Sequence, residues 1–351
     1  MLFSYTLVFI AAFIVCSTAL LVVGWLLPKK QILSMQKPLH IDPARRIDWT
    51  AVDPIQFRPF KPIYYISMAI RNSSPSELIT IDSDYQVRIK HRQDTLAKKY
   101  KQVHGFVQEG HAAVQELYLF LMSSYLPTRF PYLFSLTQDG KHLHNTVTQA
   151  QYTVTPPQDL DEALRNIGKS VDEDFFLLME TPEFHKSVAF VCCFPMGFDP
   201  STKLGKSLAT IHEPVPNYEK IGPSMERFFK KMEVGKAVQR NNWAIQTTNC
   251  LYTPDGHELA EDGSYQTDEV VDIDQVHLRV ELQTLMRLPA TRAILFVFKT
   301  YIYPIRDIKK EGLGQELADA IEGLKKGNAP GFWKYKGGVR WGKSVCEYLR
   351  S

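Results

Sequence analysis

His212 stands in Ile211-His212-Glu213-Pro214-Val215-Pro216, beside two alternate prolines that lock φ and push the residue before each toward an extended backbone. An imidazole fixed in this way can ligate a metal at little further entropic cost, although a capped or core histidine fits the same spacing. His142 and His144 form an H-x-H pair after Asp139-Gly140, where a surface loop is the plainer reading than a metal site. Asp172, Glu173 and Asp174 precede an apolar run, as a solvated start to a strand, as caps, or as the lining of a polar pocket. Arg279 and Glu281 share one face of an alternating segment, either as groups of a polar site or as a surface ion pair. The sequence contains no C-x-x-C pair, no G-x-G-x-x-G after a strand, no G-x-S-x-G and no H-E-x-x-H. A structural zinc, a bound dinucleotide and a serine or zinc hydrolase therefore lack their usual carriers.

Several elements must position these groups. Residues 188–194 form an apolar, β-branched and aromatic run that reads as a buried strand. Residues 276–282 alternate apolar and polar without a break, the period of a half-buried strand, and 293–303 return as an apolar strand after Pro289-Ala290-Thr291-Arg292. The pair predicts an antiparallel hairpin. Residues 241–252 read as another strand, ending at Pro254-Asp255-Gly256. Helices are predicted over 85–103, 110–125, 160–168, 225–232, 314–326 and 339–349, with Pro127 and Pro131 ending the second. Lys90, His91 and Arg92 read as a solvated helix face, with a pocket-lining Arg92 as the alternative. The class is α+β, with helices packed on an antiparallel sheet.

Six motifs in register resemble one family. They are Val171-Asp172-Glu173-Asp174-Phe175-Phe176-Leu177-Leu178, Phe194-Pro195, Lys203-Leu204-Gly205, the His212 segment, Arg240-Asn241-Asn242-Trp243, and Leu278-Arg279-Val280-Glu281 continued by Gln283-Thr284-Leu285 and Arg287-Leu288-Pro289. The chain is similar to the haem-dependent oxidative N-demethylase α-subunit type, from Tyr85 to about Asp307. Fungal members carry the label HRQ, and His91-Arg92-Gln93 stands here. The resemblance implies a PAS-like five-stranded antiparallel sheet with flanking helices, and haem b held by His212. Strands 188–194 and 293–303 would supply the porphyrin slot. Lys203, Lys206, Arg240, Arg279 and Arg287 are the candidates for the propionates. It also implies dioxygen and a small amine as substrates. Glu281 is the first candidate to bind the amine, followed by Asp174 and Asn242 with its neighbours Arg240, Asn241 and Trp243. The bacterial type works with partner subunits carrying FMN, an iron–sulfur cluster and tetrahydrofolate. Electrons are accordingly expected here from a separate flavin or iron–sulfur reductase. A haem-binding sensor and a cofactor-free membrane-tethered scaffold are the alternatives.

The chain has 351 residues, five cysteines and a net charge of +3, too weak a bias to argue for nucleic acid. Residues 2–27 carry no charged side chain and exceed the roughly 20 apolar residues that cross a bilayer core. An uncleaved anchor over 1–28 is expected, since a signal peptide would have a basic n-region and a shorter apolar stretch. Lys29, Lys30, Lys37, Arg45 and Arg46 follow it, so the bulk of a single-pass protein faces the cytosol, with the endoplasmic reticulum as the candidate membrane. Residues 29–62 read as a proline-punctuated linker and 63–351 as the haem domain.

Overall fold

The alternating segment becomes the strand His277–Arg287, central to a seven-stranded antiparallel sheet. The computed structural model describes residues 39–46, 48–255 and 267–351. The anchor expected over residues 1–28 lies outside the described residues. Among those described, no helix is long and apolar enough to cross a membrane.

The strands are β1 (Arg71–Ser73), β2 (His104–Phe106), β3 (Phe134–Leu136), β4 (His142–Asn145), β5 (Gln151–Thr153), β6 (Asp174–Glu180), β7 (His185–Val191), β8 (Ala237–Gln246), β9 (His277–Arg287) and β10 (Ile294–Pro304). The large sheet runs β1-β8-β9-β10-β6-β7-β2, and β3-β4-β5 form a small second sheet. The predicted β9–β10 hairpin forms, pairing Arg287 with Ile294 and His277 with Pro304. The main helices are α1 (Tyr85–Lys98), α2 (His111–Leu119), α3 (Leu160–Ser170), α4 (Gly222–Lys231), α5 (Gly314–Gly323) and α6 (Gly338–Arg350).

Side chains alternate between sheet faces, so the register sorts the core. One face carries Phe175, Leu177, Val297 and Met286, which pack under α1, α2 and α3. Its other end carries Val280, Leu278, Trp243 and Tyr301, which pack against α5 and α6. Residues 39–62, read as linker, run as an extended arm on this body: Trp49 meets Tyr85 edge-on at 6.0 Å, and Phe57 meets Tyr301 at 5.4 Å. The opposite face is covered by α4 and by the connection between β7 and α4.

Four expectations need correction. His142 and His144 belong to β4, where cross-strand pairing with β3 and β5 holds them, rather than to a loop. Helical geometry continues past Pro127 to Arg129, because a wide turn over Phe120–Tyr125 leads into a new helical start at Leu126, with Pro127 in its first turn. Asp172, Glu173 and Asp174 are buried, not a solvated start to β6, since α1 and β10 bring cations onto them. Lys90 and His91 are exposed as expected, but Arg92 on the same helix is wholly buried. Its Nε donates to the Gly168 carbonyl at 2.8 Å and its Nη1 to Asp174 at 2.5 Å.

Candidate functional site

The face under α4 gathers the aromatic and polar candidates. Register aligns Phe190, Phe176, Phe296, Leu285 and Val238 in one row across β7, β6, β10, β9 and β8. The next row holds Phe298, Gln283 and Arg240, and the one after it Thr300, Glu281 and Asn242. One half of this floor is aromatic. Phe176 stacks on Phe190 at 5.6 Å and on Phe298 at 6.3 Å, within 17° and 15° of parallel. The other half is polar and half-buried. Phe190 and Phe298 come from the two segments expected to form the slot, and β6 adds Phe176.

The roof is the stretch from Phe198 to Tyr218. Phe198 and Leu204 pack on the aromatic floor, while Leu208 and Tyr218 join Leu285, Val238 and Met225. Gly205 has φ +74, a conformation that a side chain would strain, and its N–H donates to the Ser187 carbonyl at 2.8 Å. That turn ties the roof to β7. Ser207 caps the short helix Leu208–Ile211 by accepting from the Thr210 N–H, and His212 ends it.

The imidazole of His212 is fixed three ways. Its Nδ1 lies 2.8 Å from the Leu208 carbonyl, its ring stacks on Tyr218 at 4.6 Å and 3°, and its main chain closes the helix. A carbonyl only accepts, so Nδ1 carries the proton and Nε2 keeps its lone pair. Burial lowers the His212 pKa; the Leu208 bond opposes this, while the nearby cations of Lys203 and Arg240 add to the lowering. The neutral, ligating form is therefore the resident one. Among the described residues no group of three His, Cys, Asp or Glu side chains surrounds a point where a bare metal ion would sit.

The other predicted residues divide. Glu281, Asn242 and Arg240 come together on the polar floor. Glu281 Oε2 accepts from Asn242 Nδ2 at 3.3 Å and from Gln283 Nε2 at 2.9 Å. The Nε of Arg240 is buried without a partner, and burial pulls the guanidinium pKa down despite the opposing influence of Tyr64 and Glu281. Lys203, whose pKa burial also lowers, reaches the Ile211 carbonyl at 3.4 Å.

Asp174, Arg279 and Arg287 are committed elsewhere. Asp174 accepts from Arg92 and from the Cys193 and Phe194 N–H groups at 2.7 and 3.0 Å. Arg279 makes no ion pair with Glu281. Its guanidinium donates to the Phe194 carbonyl, and to those of Leu251 at 3.1 Å and Gln246 Oε1 at 3.3 Å. Arg287 donates to the Phe229 carbonyl and to that of Arg292 at 2.9 Å, which ties α4 to the far end of β9.

The family model described as haem-dependent oxidative N-demethylase, alpha subunit-like matches residues 69–346. The chain belongs to that family. The residues of this demethylase-like chain fit the cofactor in the family name. His212 is a fixed neutral imidazole, Phe176 and Phe298 stack into a flat aromatic patch, and Arg240 has a donor without a partner.

Two site residues escaped sequence reasoning. Gln283 lies two positions beyond Glu281 and so on the same strand face, a signal that was legible. Lys336, from a Gly- and aromatic-rich link, donates to Asn242 Oδ1 at 3.3 Å and to the Trp243 carbonyl, and it stands 94 positions beyond Asn242. Nothing local marked it.

Proposed function

We propose that the chain binds haem b through His212 Nε2 and demethylates a small amine with dioxygen. The observation that carries this reading is the His212–Leu208 bond, which fixes the ring and leaves Nε2 with its lone pair. When bound, haem would supply the redox and dioxygen chemistry. Phe176, Phe190, Phe296 and Phe298 would line the porphyrin slot, and Lys203 and Arg240 would pair with its propionates. Arg279 and Arg287 do not share that role, since their donors serve backbone carbonyls. The five contiguous long strands β8-β9-β10-β6-β7 support a PAS-like sheet.

Glu281 would receive the protonated amine. Asn242 and Gln283 orient one of its oxygens, and its Oε1 accepts no bond from the described residues. A sensor has no need of such a carboxylate on the polar floor, so Glu281 favours the enzyme. Asn242 acts by positioning Glu281, while Asp174 acts one shell further out by holding the Cys192–Phe194 turn. Electrons come from a separate flavin or iron–sulfur reductase. Residues 2–27 tether the domain to the cytosolic face of a membrane, with the endoplasmic reticulum as the first candidate.

The deciding experiment is an absorption spectrum of the full-length chain produced with a haem precursor, beside His212→Ala. A Soret band that shifts or disappears in the variant is expected. Absence of the band from both proteins would sink enzyme and sensor together and leave a cofactor-free scaffold. Reduction of the haem by NADPH only when a membrane fraction is added tests the reductase and the tether.

A further inference from the structure

Lys336 is a buried cation without a carboxylate of its own. It is 4% exposed, and the acceptors of its ammonium are neutral: Asn242 Oδ1 at 3.3 Å and the Trp243 carbonyl. The rings of Trp243 and Phe332 lie 5.5 and 5.9 Å from its Nζ. The connection to Glu281 runs through a single amide. A lysine only donates, so it fixes Asn242 with Oδ1 toward Lys336 and Nδ2 toward Glu281, 3.3 Å away.

The ionisable groups of this corner are Glu281 on β9, Arg240 on β8, and Tyr64 and Tyr335, whose phenols burial holds above their ordinary range and hence neutral. With Arg240 set against a haem carboxylate, Lys336 and Glu281 leave the corner neutral at rest. An ammonium arriving at Glu281 adds a charge in a buried place, where an unbalanced cation is costly. Lys336 can relieve that surplus without losing contacts, because a neutral amine retains two N–H groups for the same two acceptors.

We propose that binding of an ammonium at Glu281 drives a proton from Lys336 to solvent, so that the site exchanges the incoming cation for a proton. The inference rests on Glu281 as the amine site. Burial already brings the Lys336 amine down to about 8, with Glu281 opposing and Arg240 reinforcing the shift. A proton is therefore available for release near neutral pH.

Calorimetric titration of the haem-loaded full-length chain with dimethylammonium chloride, in buffers of different ionisation enthalpy, counts the protons exchanged. Release of roughly 0.9 proton at pH 7 is expected, and affinity should rise about tenfold per pH unit up to about pH 8 and then level off. Lys336→Met should release none and lose that pH dependence. Lys336→Arg keeps a fixed charge and should release none while binding about tenfold more weakly. The wild-type proton count stands even if a variant does not fold. Binding that Glu281→Gln abolishes, but that releases no proton in the wild type, overturns the inference and leaves the amine site intact. Release that persists in both Lys336 variants assigns the proton to the ligand and also overturns it. No binding by the wild type, or binding unchanged in Glu281→Gln, removes the amine site and this inference with it.

Discussion

Two polar regions lie on one sheet, and they are paired to different degrees. Under α1, Lys299 meets Asp82 at 2.8 Å and Asp172 at 3.1 Å, Arg88 meets Asp172 at 2.9 Å, and Arg92 meets Asp174 at 2.5 Å. Three cations thus face three carboxylates, and the fourth acid, Glu173, is pushed up by burial to about 8 and stays protonated. Burial alone would raise Asp172, but Arg88, Lys299 and Arg92 outweigh it and hold the pKa down. Elsewhere on the sheet, among the described residues, Arg240 has a buried Nε with no acceptor, His212 bonds through Nδ1, and Glu281 accepts through Oε2. Both regions are buried and charged, but the first sets each of its cations against a carboxylate, although Arg92 Nη2, Asp172 Oδ1 and Glu173 Oε2 still lack hydrogen-bond partners. The ion-paired network holds α1, β6 and β10 together, whereas among the described residues Arg240 and His212 have no carboxylate partner.

Mutations can sharpen or break this contrast. Lys299→Met should have the largest effect, since removing one member of a buried pair strands the other charge: about 3–5 kcal/mol of stability, read by urea denaturation. A loss below about 1 kcal/mol would mean that the network is not the brace described here. Glu173→Gln tests the same region by pH. The native carboxyl keeps its proton to about 8, against 4.5 when unfolded, so the native state binds more protons between these values. Its contribution to stability is therefore full below 4.5 and lost as pH rises to about 8. The glutamine variant should match the parent near pH 4 and exceed it near pH 8; parallel stability curves would refute the assignment. On the polar floor, Arg240→Leu should leave stability within about 1 kcal/mol, because its Nε has no acceptor among the described residues, yet haem should be retained more weakly in competition with apomyoglobin. Equal retention would remove Arg240 from the propionate role. Asn242→Ala is expected to be the mildest change, weakening dimethylammonium binding several-fold while the Soret band stays in place.

The contrast also explains what could be read in advance. Strict alternation over 276–282 fixed the hairpin and put Glu281 and Gln283 on one face, because the period of a strand is a local property. His212 stood out because its prolines constrain it locally. Asp174 and Arg279 were legible as polar groups near the site, but not as groups already bonded. Their partners, the Phe194 N–H and carbonyl among them, approach only when β6, β7 and β9 are assembled. Arg92 shows the same limit, since one turn of α1 offers His91 to solvent and Arg92 to Asp174.

By itself, then, the sequence determined the β9–β10 hairpin and its faces, the family resemblance and the histidine to examine, all of which follow from near-neighbour spacing and motif order. Tertiary structure alone decided which charges are balanced and which are left open. That balance is set by contacts between residues far apart in the chain, as when Lys336 donates to Asn242 and thereby turns its amide toward Glu281.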